Sequence, residues 1–373
     1  MRLQIVDPPA YTPPYDRSLC AALARGGASV ELVTSHFAWG SVPEADGYRV
    51  RELFYRRSSR IDPARGTRRP VKAVEHLRDM LAYRSSAAGG ADVLHFQWLT
   101  FPRLDARLLP RGRPLVQTPH GLLRAEAWRG RSAPAYRRLL QRMDAVVALS
   151  EYGARVLHDE ARIDRSRVRV IPHGALDYLA RIEHPAPLPP ELAAVKGPVV
   201  LFFGLVRPYK GVDVLLEAFR EVDGAELWVV GRPMGVRLED LAEAAARVRG
   251  TVRLIPRFVD DREIPAFFRR ADLVVLPHRD AEQSGALYTA LAFGKAVVMS
   301  DVGGFGEVAA TGAGRLVAPD DAEALAAAIT ELLADAGARE RLEQGARVAA
   351  AGPYSWDSIA EQTLSLYREL GAS

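Results

Sequence analysis

Two cationic side chains, Arg207 and Lys210, follow a continuous apolar run, Val199–Phe203, and the glycine that ends it, Gly204, in the stretch PVVLFFGLVRPYKGVDVLLEAFR. Such a run reads as a strand buried on both faces, and Val212, Leu215, Leu216 and Phe219 then recur at the spacing of one helix face. Strand, tight turn and helix would place both cations at the carboxyl end of a strand, where open α/β sheets bind ligands; the helix start adds its own attraction for anions. The chemistry implied is capture of a phosphate-bearing ligand. Arg and Lys in a surface loop are also ordinary solvated charges, so this stretch alone does not decide.

A second stretch, LVVLPHRDAEQSGALYTALAFGKAVVMSDVGGFGEV over residues 273–308, strengthens the first. It reads as a strand (Leu273–Leu276), a polar loop with Ser284 and Gly285, a helix over 286–293, a strand over 296–299 and then Gly303-Gly304. Strand ends of this kind present backbone N–H groups and hydroxyls, which would face the same ligand as the cations. In the first half, PLVQTPHGLLR runs from a strand into Thr118, His120 and Gly121. An imidazole can donate or accept near neutral pH, and the following glycine lets a ligand approach the backbone, so His120 is a candidate for substrate contact. His95, at the end of the strand Val93–Phe96, reads instead as a structural histidine.

The elements that must position these groups alternate strand and helix throughout. A strand at residues 3–6, a helix at 17–25 and a strand at 30–34 open the chain as a β-α-β unit. A helix over 71–83, strands at Val93–Phe96 and over 145–149, and a helix over 133–142 follow, with Ser150 able to cap the next helix. The second half repeats the alternation, with strands at Glu226–Val230 and 252–255, helices at 237–247 and 262–270, and later helices at 322–333 and 338–350. With 373 residues, 48% of them apolar, the chain is too long for one comfortable core. The expected division is a first domain over 1–181, a linker over 182–197 with four prolines, a second domain over 198–353, and a terminal helix over 354–373 able to cross back to the first domain.

Several classes are excluded. The single cysteine, Cys20, rules out an internal disulfide framework, and the opening MRLQIVDPPAY reads as a strand before prolines, not as a signal peptide. No apolar run reaches the length of about eighteen residues needed to span a membrane, so a reducing cytosol is the expected compartment. The loop over residues 7–16, DPPAYTPPYD, lacks the three-glycine dinucleotide fingerprint, and no HExxH, CxxC, Walker A or GxSxG pattern occurs. Asp301 follows a strand, but paired metal-ligand spacing is missing, and no metal is assigned.

Charge is uneven. Through Ala180 there are 29 Lys and Arg against 18 Asp and Glu, a net of +11, and the remainder carries a net of −7. Residues 48–72 hold nine basic side chains against Glu52 and Asp62, with Phe54 and Tyr55 among them. This is either a solvated surface or a patch for anionic lipid headgroups; nucleic acid is disfavoured because no recognised nucleic-acid module accompanies it.

Taken together, FGLVRPYKGVDVLLEAF, LPHRDAEQSGALYTALAFGKAVV with DVGGFGEV, the first-half TPHG and the tail YSWDSIAEQTLSLYREL resemble retaining glycosyltransferases of family 4, the glycosyltransferase group 1 proteins. The resemblance spans nearly the whole chain. It implies the GT-B fold, two Rossmann-like doubly wound domains facing across a cleft, with a nucleoside-diphosphate sugar in the second domain and the acceptor in the first. Arg207 and Lys210 would then hold the diphosphate and stabilise it as it leaves, Gly204 would allow its approach, the amides around Ser284 and Gly285 would complete its cradle, and His120 would lie by the donor sugar. The family's paired glutamates, eight positions apart, fall on Ala281 and Thr289, with Glu282 one residue out of register as a replacement for the first.

The implied reaction is hexosyl transfer to an acceptor hydroxyl, on a lipid-linked or cell-envelope glycan precursor, with retention at the anomeric carbon. Beyond the donor sugar no tightly bound cofactor and no divalent metal is expected. The expected location is cytoplasmic, peripheral to the inner face of the plasma membrane. A GT-B sugar-nucleotide epimerase, a soluble glycogen- or sucrose-type transferase and a non-enzymatic nucleotide-sugar-binding protein are the alternatives.

Overall fold

The computed structural model describes residues 1–61, 68–87, 90–121, 128 and 130–371. Among these, thirteen strands form two sheets, one of seven strands and one of six. The first holds β1 (Arg2–Asp7), β2 (Ser29–Ser35), β3 (Arg49–Phe54), β4 (Val93–Phe96), β5 (Leu115–Gln117), β6 (Ala145–Ala148) and β7 (Val168–Val170), in the order β3-β2-β1-β4-β5-β6-β7. The second holds β8 (Val199–Phe203), β9 (Glu226–Val230), β10 (Thr251–Ile255), β11 (Leu273–Leu276), β12 (Val297–Ser300) and β13 (Gly314–Val317), in the order β10-β9-β8-β11-β12-β13. Every pairing is parallel.

This topology explains the composition of the strands. Parallel sheets with helices on both faces bury their central strands completely, which is why β4, β6, β11 and β12 are buried at every position. The edge strands β3 and β10 are only half-buried and accept Arg49, Arg51 and Arg253. In each sheet the chain builds outward from one strand, returns and builds the other way. The order reverses between β1 and β4 and again between β8 and β11, and a crevice opens at the carboxyl ends of such pairs.

The chain divides into two compact units, Met1–Gly174 with Trp356–Ser373, and Ala175–Ser355. The proline-rich stretch 182–197 lies inside the second unit: Arg262 holds His184 O, and Arg270 holds Val195 O. The last helix, Trp356–Glu369, belongs to the first unit, where it packs on the helix Pro13–Arg25. Its apolar stripe of Trp356, Ile359, Leu364 and Tyr367 is buried, Tyr367 Oη lies 2.6 Å from His95 Nδ1, and Arg25 pairs with Asp357 at 2.7 Å.

Each unit has its own core, built on Val6, Phe96, Leu139 and Val146 in the first and on Val200, Phe202, Leu215 and Ile329 in the second. Phe54 and Tyr55 correct one expectation. They do not stand on the surface ready for lipid but are 0% and 2% exposed, because β3 ends by turning both rings inward toward Tyr83 and His76. No helix among the described residues is long and apolar enough to cross a membrane.

Candidate active site

In the second unit the crevice forms where β8 and β11 end. The buried strand β8 stops at Gly204, whose φ of 114° is open to glycine but strained for other residues. Gly204 N–H donates to Val230 O, so the turn is tied to the end of β9. The chain then crosses to Gly211 with φ 65°, where a Cβ would fall 1.8 Å from Pro277 O. Only glycine lets the start of the helix Val212–Ala218 press against the end of β11. Arg279 locks the two segments together: its N–H donates to Tyr209 O, and its guanidinium binds Pro208 O and both carboxylate oxygens of Asp213.

Arg207 and Lys210 stand in this turn, close enough for the Arg207 charge to act on the ammonium. Lys210 Nζ lies 3.3 Å from the position of a Cβ on Gly204. Burial first, and Arg207 second, depress its pKa to about 8. No salt bridge engages either side chain among the described residues, and Arg207 Nε is buried without a hydrogen-bond partner. Arg207 also donates to Met234 Sδ at 3.2 Å, but the two cations repel each other, and an anion between them would relieve the repulsion and take up the unmet Arg207 donor.

The loop after β11 supplies donors without partners. Ser284 is the N-cap of the helix Gly285–Ala292, yet it makes no cap bond to that helix, and its Oγ is buried and unpartnered. The first-turn amides of Gly285 and Ala286 lie outside the intrahelical ladder and point from a helix start. Glu282 is buried at 5% exposure, with its carbonyl receiving Gly304 N–H at 3.1 Å, which joins this loop to the glycine turn after β12. Thr289 is buried, and its hydroxyl proton is used on Gly285 O at 2.8 Å, so only its lone pairs remain for a ligand.

One group in this crevice escaped the reading of the sequence. His278, immediately after β11, is 1% exposed with neither ring nitrogen hydrogen-bonded; it touches the rings of Tyr209 and Phe305, and burial and Lys210 hold its pKa well below the usual value. Its place in LPHRD was visible, but a lone histidine beside an apolar strand reads as core.

In the first unit His120 lies at the end of β5. Its Nε2 is 2.8 Å from Gln97 Oε1, so on this amide assignment Nε2 donates and Nδ1 is left to accept. The ring stacks on Trp98 and meets Tyr15 edge-on at 4.8 Å. Burial, with His173 and His95 adding to it, lowers its pKa to about 3, so the imidazole is neutral at physiological pH. His95 spends both nitrogens on Tyr367 Oη and Thr118 Oγ1 and is structural. Tyr15 also contacts His173 and Trp356, an aromatic cluster drawn from four separated segments that no local pattern announces. Residues 122–124 of the TPHGLLR stretch lie outside the described residues.

Related proteins identify the family. The family model for Glycosyltransferase Family 4 matches residues 17–175, and that for Glycosyl transferases group 1 matches residues 197–335. A D-inositol 3-phosphate glycosyltransferase of Xylanimonas cellulosilytica is 30% identical over 95% of this chain and 90% of its own. The chain belongs to glycosyltransferase family 4. A phosphatidyl-myo-inositol mannosyltransferase of Mycolicibacterium smegmatis is 30% identical over 77% of this chain and 73% of its own. Among solved structures, the Anabaena HepE protein in complex with UDP-glucose superposes with a TM-score of 0.75 at 18% identity, covering 99% of this chain and 100% of that one. The fold is GT-B, and the chain is a nucleotide-sugar-dependent glycosyltransferase. Within this glycosyltransferase Gly204, Arg207 and Lys210 follow β8, and the loop carrying Glu282, Ser284 and Gly285 follows β11, its neighbour in the second sheet. His120 lies in the first unit.

Proposed function

We propose that the chain transfers a hexosyl group from a nucleoside-diphosphate sugar, bound in the second unit, to a hydroxyl of a lipid-linked or glycolipid acceptor, with retention at the anomeric carbon. The observation that carries this reading is the unpaired pair Arg207 and Lys210 beside Gly204. As the glycosidic bond breaks, negative charge accumulates on the leaving diphosphate, and cations fixed in advance stabilise that state more than the ground state. The Ser284 hydroxyl and the Gly285 amide are donors to the same diphosphate, and Glu282 is the carboxylate for the sugar hydroxyls. With the diphosphate neutralised by protein cations, no divalent metal is required, and turnover should survive a chelator.

Neutral His120 is suited to contact the transferred sugar or the acceptor through Nδ1, with Gln97 fixing its tautomer. The departing phosphate oxygen is the base for the acceptor proton in the front-face route we favour.

A peripheral membrane location is supported by the helix Arg68–Ala87, which exposes Val74, Leu77 and Leu81 at 73%, 43% and 46% along one face. Arg69, Arg78 and Arg84 share that helix, and Arg56 and Arg57 lie just before it in the chain. Apolar side chains flanked by arginines fit an anionic bilayer surface, and the mannosyltransferase relative is named for a phosphatidyl lipid. The reading is tested by screening UDP- and GDP-sugars for heat stabilisation, then resolving the anomer formed on lipid-linked acceptors. Inverted product, or sugar conversion without any acceptor, would overturn it.

A further inference from the structure

Four histidines are buried among the described residues, and three of them spend ring nitrogens inside the fold. His76 uses both, on Tyr55 Oη and Asp105 Oδ1; His95 uses both, on Tyr367 Oη and Thr118 Oγ1; His120 uses Nε2 on Gln97. His278 uses neither, although it is only 1% exposed. Buried polar groups are almost always hydrogen-bonded because an unmet one is costly, so the exception points to a partner that the chain itself does not supply.

Three turns of the second unit close around this ring. Pro277, before it, presses its carbonyl against Gly211, and Arg279, after it, donates its N–H to Tyr209 O at 2.7 Å, so the imidazole is fixed beside the turn that carries Lys210. Its centroid lies 6.1 Å from that of the Tyr209 ring, edge-on, and 5.3 Å from that of Phe305, which opens the short helix Phe305–Val308 after β12. The glycine turn before Phe305 is locked to the loop after β11: Gly304 N–H donates to Glu282 O, and a Cβ on Gly303 would fall 1.5 Å from Ala281 O.

The surroundings suit an anion. The Lys210 charge acts on the ring, the Arg207 charge acts on Lys210, and the buried Arg207 Nε and Ser284 Oγ lack hydrogen-bond partners as His278 does. Burial, with Lys210 adding to it, keeps the imidazole neutral. A neutral ring has one N–H to donate and adds no third positive charge to a place that already holds two.

We infer that His278 is a further nucleotide-binding residue of the transferase, its ring N–H donating to an oxygen of the diphosphate that Arg207 and Lys210 hold. The inference rests on the proposed donor site and adds a neutral hydrogen bond to its two cations. Fixed in advance and shielded from water, that bond strengthens as charge gathers on the leaving diphosphate.

The full chain and its variants are titrated calorimetrically with UDP, GDP and ADP, and each is melted without ligand. In His278→Leu an apolar group of similar size fills the place of the ring. The free protein should therefore melt at or above the wild-type temperature, while the tightest diphosphate binds about tenfold or more weakly. Asn places an amide nitrogen close to the position of Nδ1 and Gln close to that of Nε2, so at least one of His278→Asn and His278→Gln should keep its affinity within about threefold of the wild type. If His278→Leu melts early by itself, His278→Met carries the comparison. A histidine with only a packing role gives the opposite pattern, a lower melting temperature with unchanged nucleotide affinity, and that result overturns the inference. Lost affinity that neither amide restores overturns it as well, because the ligand would then be sensing size and not a hydrogen bond. A wild type that binds none of the three nucleotides overturns the donor-site reading, and the inference falls with it; a binding wild type with an indifferent His278→Leu overturns the inference alone.

Discussion

Lys210 Nζ stands 3.3 Å from where a Cβ on Gly204 would be, so the glycine that ends β8 is also the floor on which the ammonium rests. Any side chain there meets two obstacles at once, a φ of 114° and the lysine. Gly204→Ala should cost about 1–3 kcal/mol of stability from backbone strain and should also displace Lys210 from the crevice. Thermal unfolding with and without UDP measures both effects. A variant with wild-type melting and wild-type stabilisation by UDP would show that the contact does not matter.

Donor binding should take up protons in mildly alkaline solution. Free Lys210 titrates at about 8, with its charge disfavoured by burial and by Arg207. A diphosphate beside it favours the charged form and raises that value. Affinity should therefore hold below pH 8 and fall as pH climbs above it. Calorimetry in two buffers of different ionisation enthalpy would reveal the uptake near pH 8.5, and a heat independent of buffer would contradict it.

Acid should destabilise the first unit through its histidines. His95 and His120 are held neutral, with pKa values lowered to about 3 by burial, and His173 is lowered to about 4. The unfolded chain binds these protons first, so stability present above an unfolded value of about 6.5 is lost as pH falls toward 3 to 4. Asp7, raised to about 6 by burial, and Asp16, raised well above the usual carboxyl range by burial and by the Asp7 charge, work in the opposite sense, and their contribution declines as pH rises. With three histidines against these two carboxyls, the melting temperature should drop between pH 6.5 and 4.5, and His95→Gln should flatten the slope. A profile that rises toward acid would show that the carboxyls dominate.

Much of this arrangement was legible in the residues. The run Val199–Phe203 could only be a buried strand, and the change of period after Gly204 marked the turn that carries Arg207 and Lys210. Other parts were hidden for physical reasons. The helix Pro13–Arg25 begins on two prolines, which read as loop although proline suits a first helical turn. Strand β13 is four residues long and half-buried, with Arg315 facing outward, so it carries no apolar run. Phe54 and Tyr55 sit among arginines in sequence, but the direction in which β3 turns their rings is a tertiary fact.

Membrane docking through the helix Arg68–Ala87 predicts vesicle flotation that needs anionic lipid and weakens as salt rises. Replacing Val74, Leu77 and Leu81 with serine should reduce it at every salt concentration, whereas replacing Arg56, Arg57 and Arg69 should remove chiefly the salt-sensitive part. A wild type that stays soluble with anionic vesicles at low salt would end the peripheral-membrane reading and leave the transferase reading standing.

Calorimetric titration with UDP, GDP and ADP tests the central claim, that the crevice at the ends of β8 and β11 binds a nucleoside diphosphate. The expected result is one saturable site for at least one of the three, weakened by about 1–3 kcal/mol in Lys210→Ala, the range for losing a hydrogen bond to a charged group. No heat from any of the three at millimolar concentration, or a Lys210→Ala variant that binds as tightly as the wild type, would contradict it.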